Sequence, residues 1–500
     1  DVPGEFAIKW FVHTYLDLVP PEEYADGHPE YYALYQGERV DPRTRSNPRR
    51  WNLCTTNPDV VRLAAETIIR LKRENPDLKM VSVDPEDLQI FCECAACRKL
   101  DDPDAPYERQ ASNRVFRFTN AVAERVGEVF PDLWIKTIAY HSYVRPPANP
   151  DWRPRDNVAV QFCRFMCHNH ALDDPACPKN RGFDAWYREW LERTDNVLLY
   201  EYYWKVSWLS LPWPLLRSLR ADIPRFADDG ILGVASQWSR NYATHALGYY
   251  VAARLLWDAD QDPDALVERY CRDLYGPAAD PVLAYYRALE EAAEASGLHL
   301  AEQRPYREIV TLFTPKLLTR LSKSLSRAAA AAANEAEAKR VQMLQAGLEY
   351  TRMMRDYLHE VLSTGDGLEG FWFGMETKQI SDVLEQGEAR AEAIRAFLQR
   401  PEHRNWLTLD KNYLGRAFDP EHVLRQSGTD EIRFGGAGTD DRLPPRLSLW
   451  VYGNDLDCVQ NVPEHVVEIG GPGDTWREIG RLAPAGQGAD RVNRAFVITG

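Results

Sequence analysis

Basic residues are what this chain is short of: 60 Lys and Arg stand against 75 Asp and Glu, a formal net charge of −15 over 500 residues. Phosphate recognition needs a concentrated basic surface, so no nucleic-acid partner is expected, and docking on an anionic membrane has no support either. No apolar run approaches the ~20 residues a membrane helix needs, so no membrane insertion is expected. The sequence has no Gly-rich phosphate loop, no Gly-x-Ser-x-Gly elbow and no His-Glu-x-x-His. Nucleotide, esterase and zincin-protease chemistries therefore lack a motif. No heptad or solenoid repeat recurs. The chain starts at Asp1 without a methionine, and removal of a leader, or more, is the expectation.

What is present is the composition of a globular protein, 44% hydrophobic and 27% charged. Its length calls for two or three domains. Aromatics are plentiful, with 15 Trp, 24 Tyr and 17 Phe. Flat rings stack on the apolar faces of sugars, although a large core buries aromatics in any case. From Ile8 to Trp257, short apolar runs alternate with helical patterns, the rhythm of a parallel sheet with crossover helices. The strand candidates are Ile8–His13, Met80–Val83, Trp134–Tyr140, Val158–Phe162, Val197–Tyr202 and Ile231–Ser236. Asn57-Pro58 sets a capping side chain before a proline at the first helical position. The expected fold is α/β: a (β/α)8-like barrel over 1–260, an α-helical module over 261–405 and a small β-rich region over 406–500. Helices are expected at Pro263–Tyr275, Pro281–Ser296 and, as one long alanine-rich element, Leu317–Leu362.

In such a barrel the functional side chains lie at the carboxyl ends of the strands. Those ends deliver His13, then Asp84, Glu86 and Asp87, then Tyr140 and His141. Further on come Glu201 with Tyr202, Tyr203 and Trp204, and finally Gln237 and Trp238. Carboxylates beside aromatics suit glycoside hydrolysis, in which one acid protonates the leaving oxygen and a second group stabilises or attacks an oxocarbenium-like centre. Aromatic walls raise the acid's pKa by desolvation, and Glu201 in Leu-Tyr-Glu-Tyr-Tyr-Trp is the best placed for that. The competing reading is a carboxylate paired with Arg or Lys at the rim. For His13 and His141 the competing reading is a hydrogen-bonded structural histidine.

Cysteines form the sharpest local pattern. Cys92, Cys94 and Cys97 fall within six residues, and Cys163, Cys167, His168, His170 and Cys177 cluster downstream. A Cys-x-Cys-x-x-Cys knot plus a fourth Cys or His matches tetrahedral structural zinc. In an oxidising compartment the same residues are able to form disulfides instead, and the total of nine leaves at least one unpaired. Spacing this tight favours metal, because adjacent short-range disulfides are strained. Simply buried thiols are a third reading, and on every one of them the knot is a staple for a strand-end loop with no catalytic part.

Several segments, taken in order, carry a resemblance. They are His-Pro-Glu-Tyr-Tyr-Ala-Leu from His28, Leu-Cys-Thr-Thr-Asn-Pro from Leu53 and Ser-Val-Asp-Pro-Glu-Asp from Ser82. The cysteine knot, Ala-Tyr-x-x-x-x-Arg-Pro-Pro from Ala139 and Leu-Leu-Trp-Asp from Leu255 complete the set. Together, over Ile8 to Leu362, they resemble a bacterial family first catalogued as a domain of unknown function, some of whose members are endo-β-N-acetylglucosaminidases acting on complex N-glycans. The resemblance implies a (β/α)8-like barrel and retaining hydrolysis with the substrate's acetamido group as nucleophile. It also implies an oligosaccharide or glycoprotein glycan as partner, no cofactor for catalysis and a secreted or periplasmic location. Glu201 takes the place of general acid/base and Asp87 that of the carboxylate orienting the acetamide, with the exchange of these roles left open. His13, Tyr140, His141, Tyr202, Tyr203, Trp204, Gln237 and Trp238 are the expected sugar contacts. One departure stands out: where an acidic residue followed by Gln-Gly is expected, this chain has Ser236-Gln237-Trp238. That leaves two alternatives open, a different glycosidase on the same scaffold and a glycan-binding protein without catalysis.

Overall fold

The computed structural model describes residues 8–9, 12–45, 47–87, 90–237, 239, 241–300, 305–366, 377–403, 406–407, 417–420 and 423, together with the strand segments 447–450, 465–469, 477–482 and 495–498. The chain divides into two compact units. The first comprises Asp1–Tyr203, Arg217–Gln237 and Ala252–Gln261; the second comprises Trp204–Leu216, Trp238–Val251 and Asp262–Gly500.

The first unit is built on a parallel sheet. Its strands are β1 (Ile8–Lys9), β4 (Met80–Ser82), β5 (Trp134–Ala139), β6 (Val158–Cys163), β7 (Val197–Glu201) and β8 (Gly233–Ser236), with the hairpin β2 (Leu34–Tyr35) and β3 (Glu38–Arg39) in the first excursion. Sheet order is β1-β4-β5-β6-β7-β8, every pair parallel. Each strand of the sheet coincides with one of the six runs, β6 reaching one residue further to Cys163, and β6, buried at all of its six positions, is covered on both faces as a continuous apolar run implies. Helix Pro58–Glu74 follows the first excursion, and its start is set as the Asn57-Pro58 pair requires: the Asn57 side chain accepts from the Asp59 N–H at 2.9 Å with Pro58 in the first turn. Helices Ser112–Gly127, Pro178–Leu191 and Leu216–Asp228 complete the crossovers.

The expected eight-stranded closed barrel is not formed among the described residues. β1 and β8 are the two edges of an open half-barrel sheet, in which the five strands β4 to β8 make up the body and the two-residue β1 extends one side. The reason lies in the supply of strands. Each parallel strand costs the chain a whole βα unit, and after Ser236 the sequence turns to Ala, Leu and Glu-rich helix formers.

The second unit is helical through Pro263–Tyr275, Ala279–Ser296, Pro315–Ala331, Glu335–Asp366 and Thr377–Leu398. The single long element expected over Leu317–Leu362 is two helices. Asn334 accepts from the Glu337 N–H at 2.9 Å while the Glu337 carboxylate accepts from the Ala333 N–H at 2.8 Å, a reciprocal cap that restarts the helix. Val341, Leu344, Leu348, Met354, Leu358 and Val361 are all buried. In the C-terminal region, β9 (Leu447–Trp450) pairs antiparallel with β12 (Ala495–Ile498), and β10 (His465–Ile469) with β11 (Arg477–Leu482). Of the two apolar runs that mark this region in the sequence, Leu447–Tyr452 and Phe496–Thr499, residues Val451, Tyr452 and Thr499 lie outside the described residues. Among the described residues no helix is long and apolar enough to cross a membrane.

Candidate functional site

The carboxyl edge of the sheet gathers most of the expected site residues of the first unit. Asp87, five residues beyond the end of β4, keeps 59% of its side chain exposed and meets His13 Nε2 at 3.5 Å. His13 is fixed from its other nitrogen, Nδ1 lying 2.9 Å from the Pro85 carbonyl. Its backbone is left-handed, φ 59°, and that of His141 is too, φ 47°. Histidine tolerates this region better than bulkier residues do, and such strain collects at functional sites.

An aromatic wall continues from β5 to β7. Tyr140 and His141 stand edge to face at 4.1 Å, His141 lies 4.4 Å from Phe165, and Tyr200 and Tyr202 meet at 5.2 Å between ring centres. Burial, reinforced by the Asp87 charge, raises the Tyr140 phenol well above its ordinary range and pushes Tyr200 up to about 12. The Cys163 thiol, which meets the Tyr202 hydroxyl at 3.7 Å, is raised by burial and by the charges of Glu201 and Asp87. The exposed carboxylate thus faces neutral hydroxyls and rings, a surface that accepts a neutral polar ligand rather than a second ion.

Glu201 sits at the end of β7 with 1% of its side chain exposed. Its Oε2 accepts from Arg164 Nη2 at 2.7 Å and Nε at 3.0 Å, and His168 Nε2 lies 3.4 Å away. Arg164 turns its remaining nitrogen to Asp222 Oδ2 at 2.7 Å, while Asp222 Oδ1 accepts from the Leu172 N–H at 2.8 Å. Burial alone raises a carboxyl pKa, yet Arg164 and His168 outweigh it and hold Glu201 below the usual range. Asp222, with the same guanidinium as partner, is still pushed up to about 6 by burial. One cation serves two buried carboxylates, so the cluster is short of positive charge. Glu201 is therefore ionised rather than protonated near neutral pH, contrary to the aromatic-wall expectation, and is the arginine-paired carboxylate of the competing reading. Its second oxygen, Oε1, is buried and accepts no hydrogen bond from the described residues.

Gln237 donates its N–H to the Glu201 carbonyl at 3.2 Å. The Ser236 hydroxyl accepts from the Tyr203 N–H at 2.8 Å and donates to the Gln237 carbonyl at 2.9 Å. Where a carboxylate was expected, a small hydroxyl thus ties β7 to β8. Tyr203 is buried beside this tie. Trp204 belongs to the second unit, and Trp238 lies outside the described residues.

Two neighbouring carboxyls have other duties. Asp84 is completely buried: Oδ2 accepts from Lys136 Nζ at 2.7 Å and Oδ1 from the Ile138 N–H at 2.7 Å, and Lys136 also reaches Gln161 Oε1 at 2.8 Å. This is an architectural lock across β4, β5 and β6. Glu86 accepts the Leu16 N–H at 3.0 Å on Oε1, while Oε2 is buried with no hydrogen-bond partner among the described residues. Burial pushes its pKa up to about 8, only partly offset by the Leu16 N–H and Arg49. A folded-state pKa above the ordinary 4.5 means the folded protein holds a proton that the unfolded chain releases, so stability falls as pH rises from about 4.5 to about 8. Glu86→Gln keeps the acceptor for Leu16 and removes the titration. Between pH 5 and 8 the native protein should lose on the order of 2–4 kcal/mol more stability than the variant. Denaturant unfolding at both pH values checks this, and parallel losses would refute it.

The cysteine knot finds its fourth member in Cys54. The sulfurs of Cys54, Cys92, Cys94 and Cys97 all lie within 4.8 Å of one another, with Cys54 at 3.7 Å from Cys94 and 3.9 Å from Cys97. A tetrahedral ion with metal–sulfur bonds of ~2.3 Å needs sulfurs about 3.8 Å apart, so a metal ion fits. Cys92 already accepts the Leu34 N–H at 3.3 Å and stands 3.7 Å from Arg39 Nη1, the kind of donors that support a thiolate ligand. Hydrogen bonds with Cys92 and Cys97 hold the Cys54 thiol below its ordinary value, while those with Cys54 and Cys97, together with burial, push Cys92 up.

Arg164, Asp222, His168 and Cys54 are the members that sequence reasoning missed as site residues. Arg164 directly follows β6, so the strand-end rule was able to find it. Asp222, in the middle of an amphipathic helix, left no such signal.

A family described as a domain of unknown function (DUF4838) matches residues 3–288, more than half of the chain. The protein belongs to the DUF4838 family. The family region holds every strand of the parallel sheet, the Asp87 rim, the Glu201–Arg164–Asp222 cluster and the four-cysteine knot. No curated protein matches the chain significantly.

Proposed function

We propose that this DUF4838 protein is a glycoside hydrolase that cleaves β-N-acetylglucosaminide linkages in complex glycans at the carboxyl edge of the sheet, outside the cytoplasm. The observation that carries the reading is the pairing of two unlike carboxylates: Asp87, exposed on an aromatic rim beside His13, and Glu201, buried and ionised with one oxygen fastened to Arg164 and the other unclaimed. The ordered motifs that resemble endo-β-N-acetylglucosaminidases supply the sugar.

The geometry favours exchanging the roles first assigned. Glu201 holds no proton to give; its unclaimed Oε1 suits the N–H of the substrate's acetamido group, and its charge suits the oxazolinium that follows. Asp87 is the carboxyl a glycosidic oxygen is able to reach. In this reaction Asp87 protonates the leaving oxygen as the acetamide oxygen attacks the anomeric carbon. Water, deprotonated by the same Asp87, then opens the oxazolinium. Two displacements at one carbon give net retention, so proton NMR of the first product from an aryl β-N-acetylglucosaminide should show the β anomer. An α anomer appearing first would sink the acetamide mechanism. The tie made by Ser236 favours a second reading, a glycan-binding protein without catalysis, which saturable glycan binding with no product would support.

The four-cysteine knot is proposed as a structural zinc site. Elemental analysis should find about one zinc per chain, lost in Cys54→Ser, with the native unfolding midpoint falling by several degrees after chelation. Full retention of zinc by Cys54→Ser would remove Cys54 from the ligand set.

A further inference from the structure

We propose that Cys167 and Cys177 are joined in a disulfide that braces the loop carrying Arg164 and His168 to Glu201. Their sulfurs lie within 4.8 Å of each other, and both residues are wholly buried. Side chains this close reach bonding distance by turning about χ1, without a change of fold. The two sit in different settings. Cys167 donates to Asn169 Oδ1 at 3.0 Å within the loop. Cys177 caps the 14-residue helix Pro178–Leu191, where the positive end of the helix dipole favours a thiolate. Consistent with this, the Cys167 thiol is raised above its ordinary range, first by its hydrogen bond to Cys177 and then by burial.

The segment between them has reason to be braced. Beyond Arg164 it forms no strand or helix before Pro178, yet it must hold the groups that keep Glu201 ionised. Its own ties are hydrogen bonds: Ser218 to the His168 carbonyl at 2.5 Å, Asn180 to the His170 and Ala171 carbonyls at 3.2 and 3.0 Å, and Leu172 to Asp222 at 2.8 Å. A covalent link across the same loop restricts the unfolded chain as well. The pair differs from the four-cysteine knot in offering two sulfurs where the knot offers four.

In a glutathione buffer the chemistry balances. The Cys177 thiolate attacks oxidised glutathione and releases one glutathione thiolate. Cys167 then loses its proton to the medium and attacks the Cys177 sulfur, releasing the second glutathione. Two protein thiols are oxidised and one glutathione disulfide is reduced. Exchange takes place while the loop is open, during folding or local opening.

The test needs no assumption about activity. Cleavage after Arg164 and Lys179 yields one peptide, residues 165–179, containing Cys167 and Cys177 and no other cysteine. Full-length protein is equilibrated with oxidised glutathione, denatured, alkylated, digested with trypsin and weighed. The expected peptide is two hydrogens lighter than the dithiol and takes no alkyl label, and it takes two labels after prior reduction. The oxidised protein should also unfold roughly 5 °C above the reduced one, a difference absent in Cys177→Ser. Two alkyl labels after oxidation, a glutathione adduct on one sulfur, or a second zinc per chain that Cys177→Ser removes would each overturn the disulfide. If Cys177→Ser fails to fold, the native peptide alone decides.

Discussion

Asp87→Asn should lose ~10²-fold or more in rate on a complex N-glycoprotein while staying within ~10-fold of native on a dinitrophenyl β-N-acetylglucosaminide, whereas Glu201→Gln should lose ~10²-fold or more on both. The difference follows from the chemistry given to each carboxylate. A sugar leaves as an alkoxide unless it is protonated, so the glycoprotein linkage depends on a proton donor. Dinitrophenolate leaves without help, so removal of the donor costs that substrate little in the first step. Glu201 acts on the acetamide and on the positive charge that develops in every substrate, and a neutral amide at its place fails with both. Its setting makes the substitution informative: Arg164 holds one oxygen at 2.7 Å, so Gln changes the charge of the group more than its position. Equal losses for both variants on both substrates would contradict the division of roles.

Arg164→Met should destabilise the first unit by about 3–5 kcal/mol, because it strands two buried carboxylates on a side chain of similar volume. Glu201 and Asp222 are 1% and 3% exposed, so water cannot replace the guanidinium. The loss depends on pH with a definite sign. Asp222 is already pushed up to about 6 with Arg164 present; without it Asp222 rises further, and Glu201, now held low by Arg164, rises too. Stability is then fullest below the unfolded carboxyl values and is lost as pH rises, so the gap between native and variant should widen from pH 5 to pH 8. Adding Asp222→Asn to Arg164→Met should recover part of the loss, since one of the stranded charges is gone. Urea unfolding of the three proteins at both pH values reads this directly. A variant within about 1 kcal/mol of native at pH 8 would mean that the cluster is hydrated rather than buried.

Much of the first unit was legible because its strands are short, apolar and fenced by turn residues. Each of the six runs from Ile8 to Ser236 marks a strand of the sheet, to within one residue at the end of β6, and the Asn57-Pro58 cap works as its side-chain chemistry requires. Closure was not legible. Barrel and open sheet share the same βα rhythm, and only the count and pairing of strands separate them. Helix Tyr242–Trp257 illustrates a second limit. Helical spacing puts Tyr249, Ala253 and Leu256 on one inward stripe, but the buried positions include Leu247, Val251, Ala252 and Leu255, and Leu256 is exposed. A helix with apolar residues on nearly every side gives periodicity nothing to lock onto. At the site, residues placed by strand ends were found at once, whereas partners brought in from elsewhere were not. Cys54 lies 38 positions before Cys92 and Asp222 lies 21 after Glu201, and neither separation has a pattern of its own. The pKa of Glu201 was misread for the same reason: its neighbours in sequence are aromatic, but its neighbour in space is Arg164.

One assay bears most directly on the account: mass-spectrometric detection of glycans released from a complex N-glycoprotein by native protein, Asp87→Asn and Glu201→Gln side by side. Glycosidase action at this edge predicts release by the native protein ending in a reducing N-acetylglucosamine, with ~10²-fold or greater loss in each variant. Release that survives Glu201→Gln unchanged, or no release by the native protein, would contradict it.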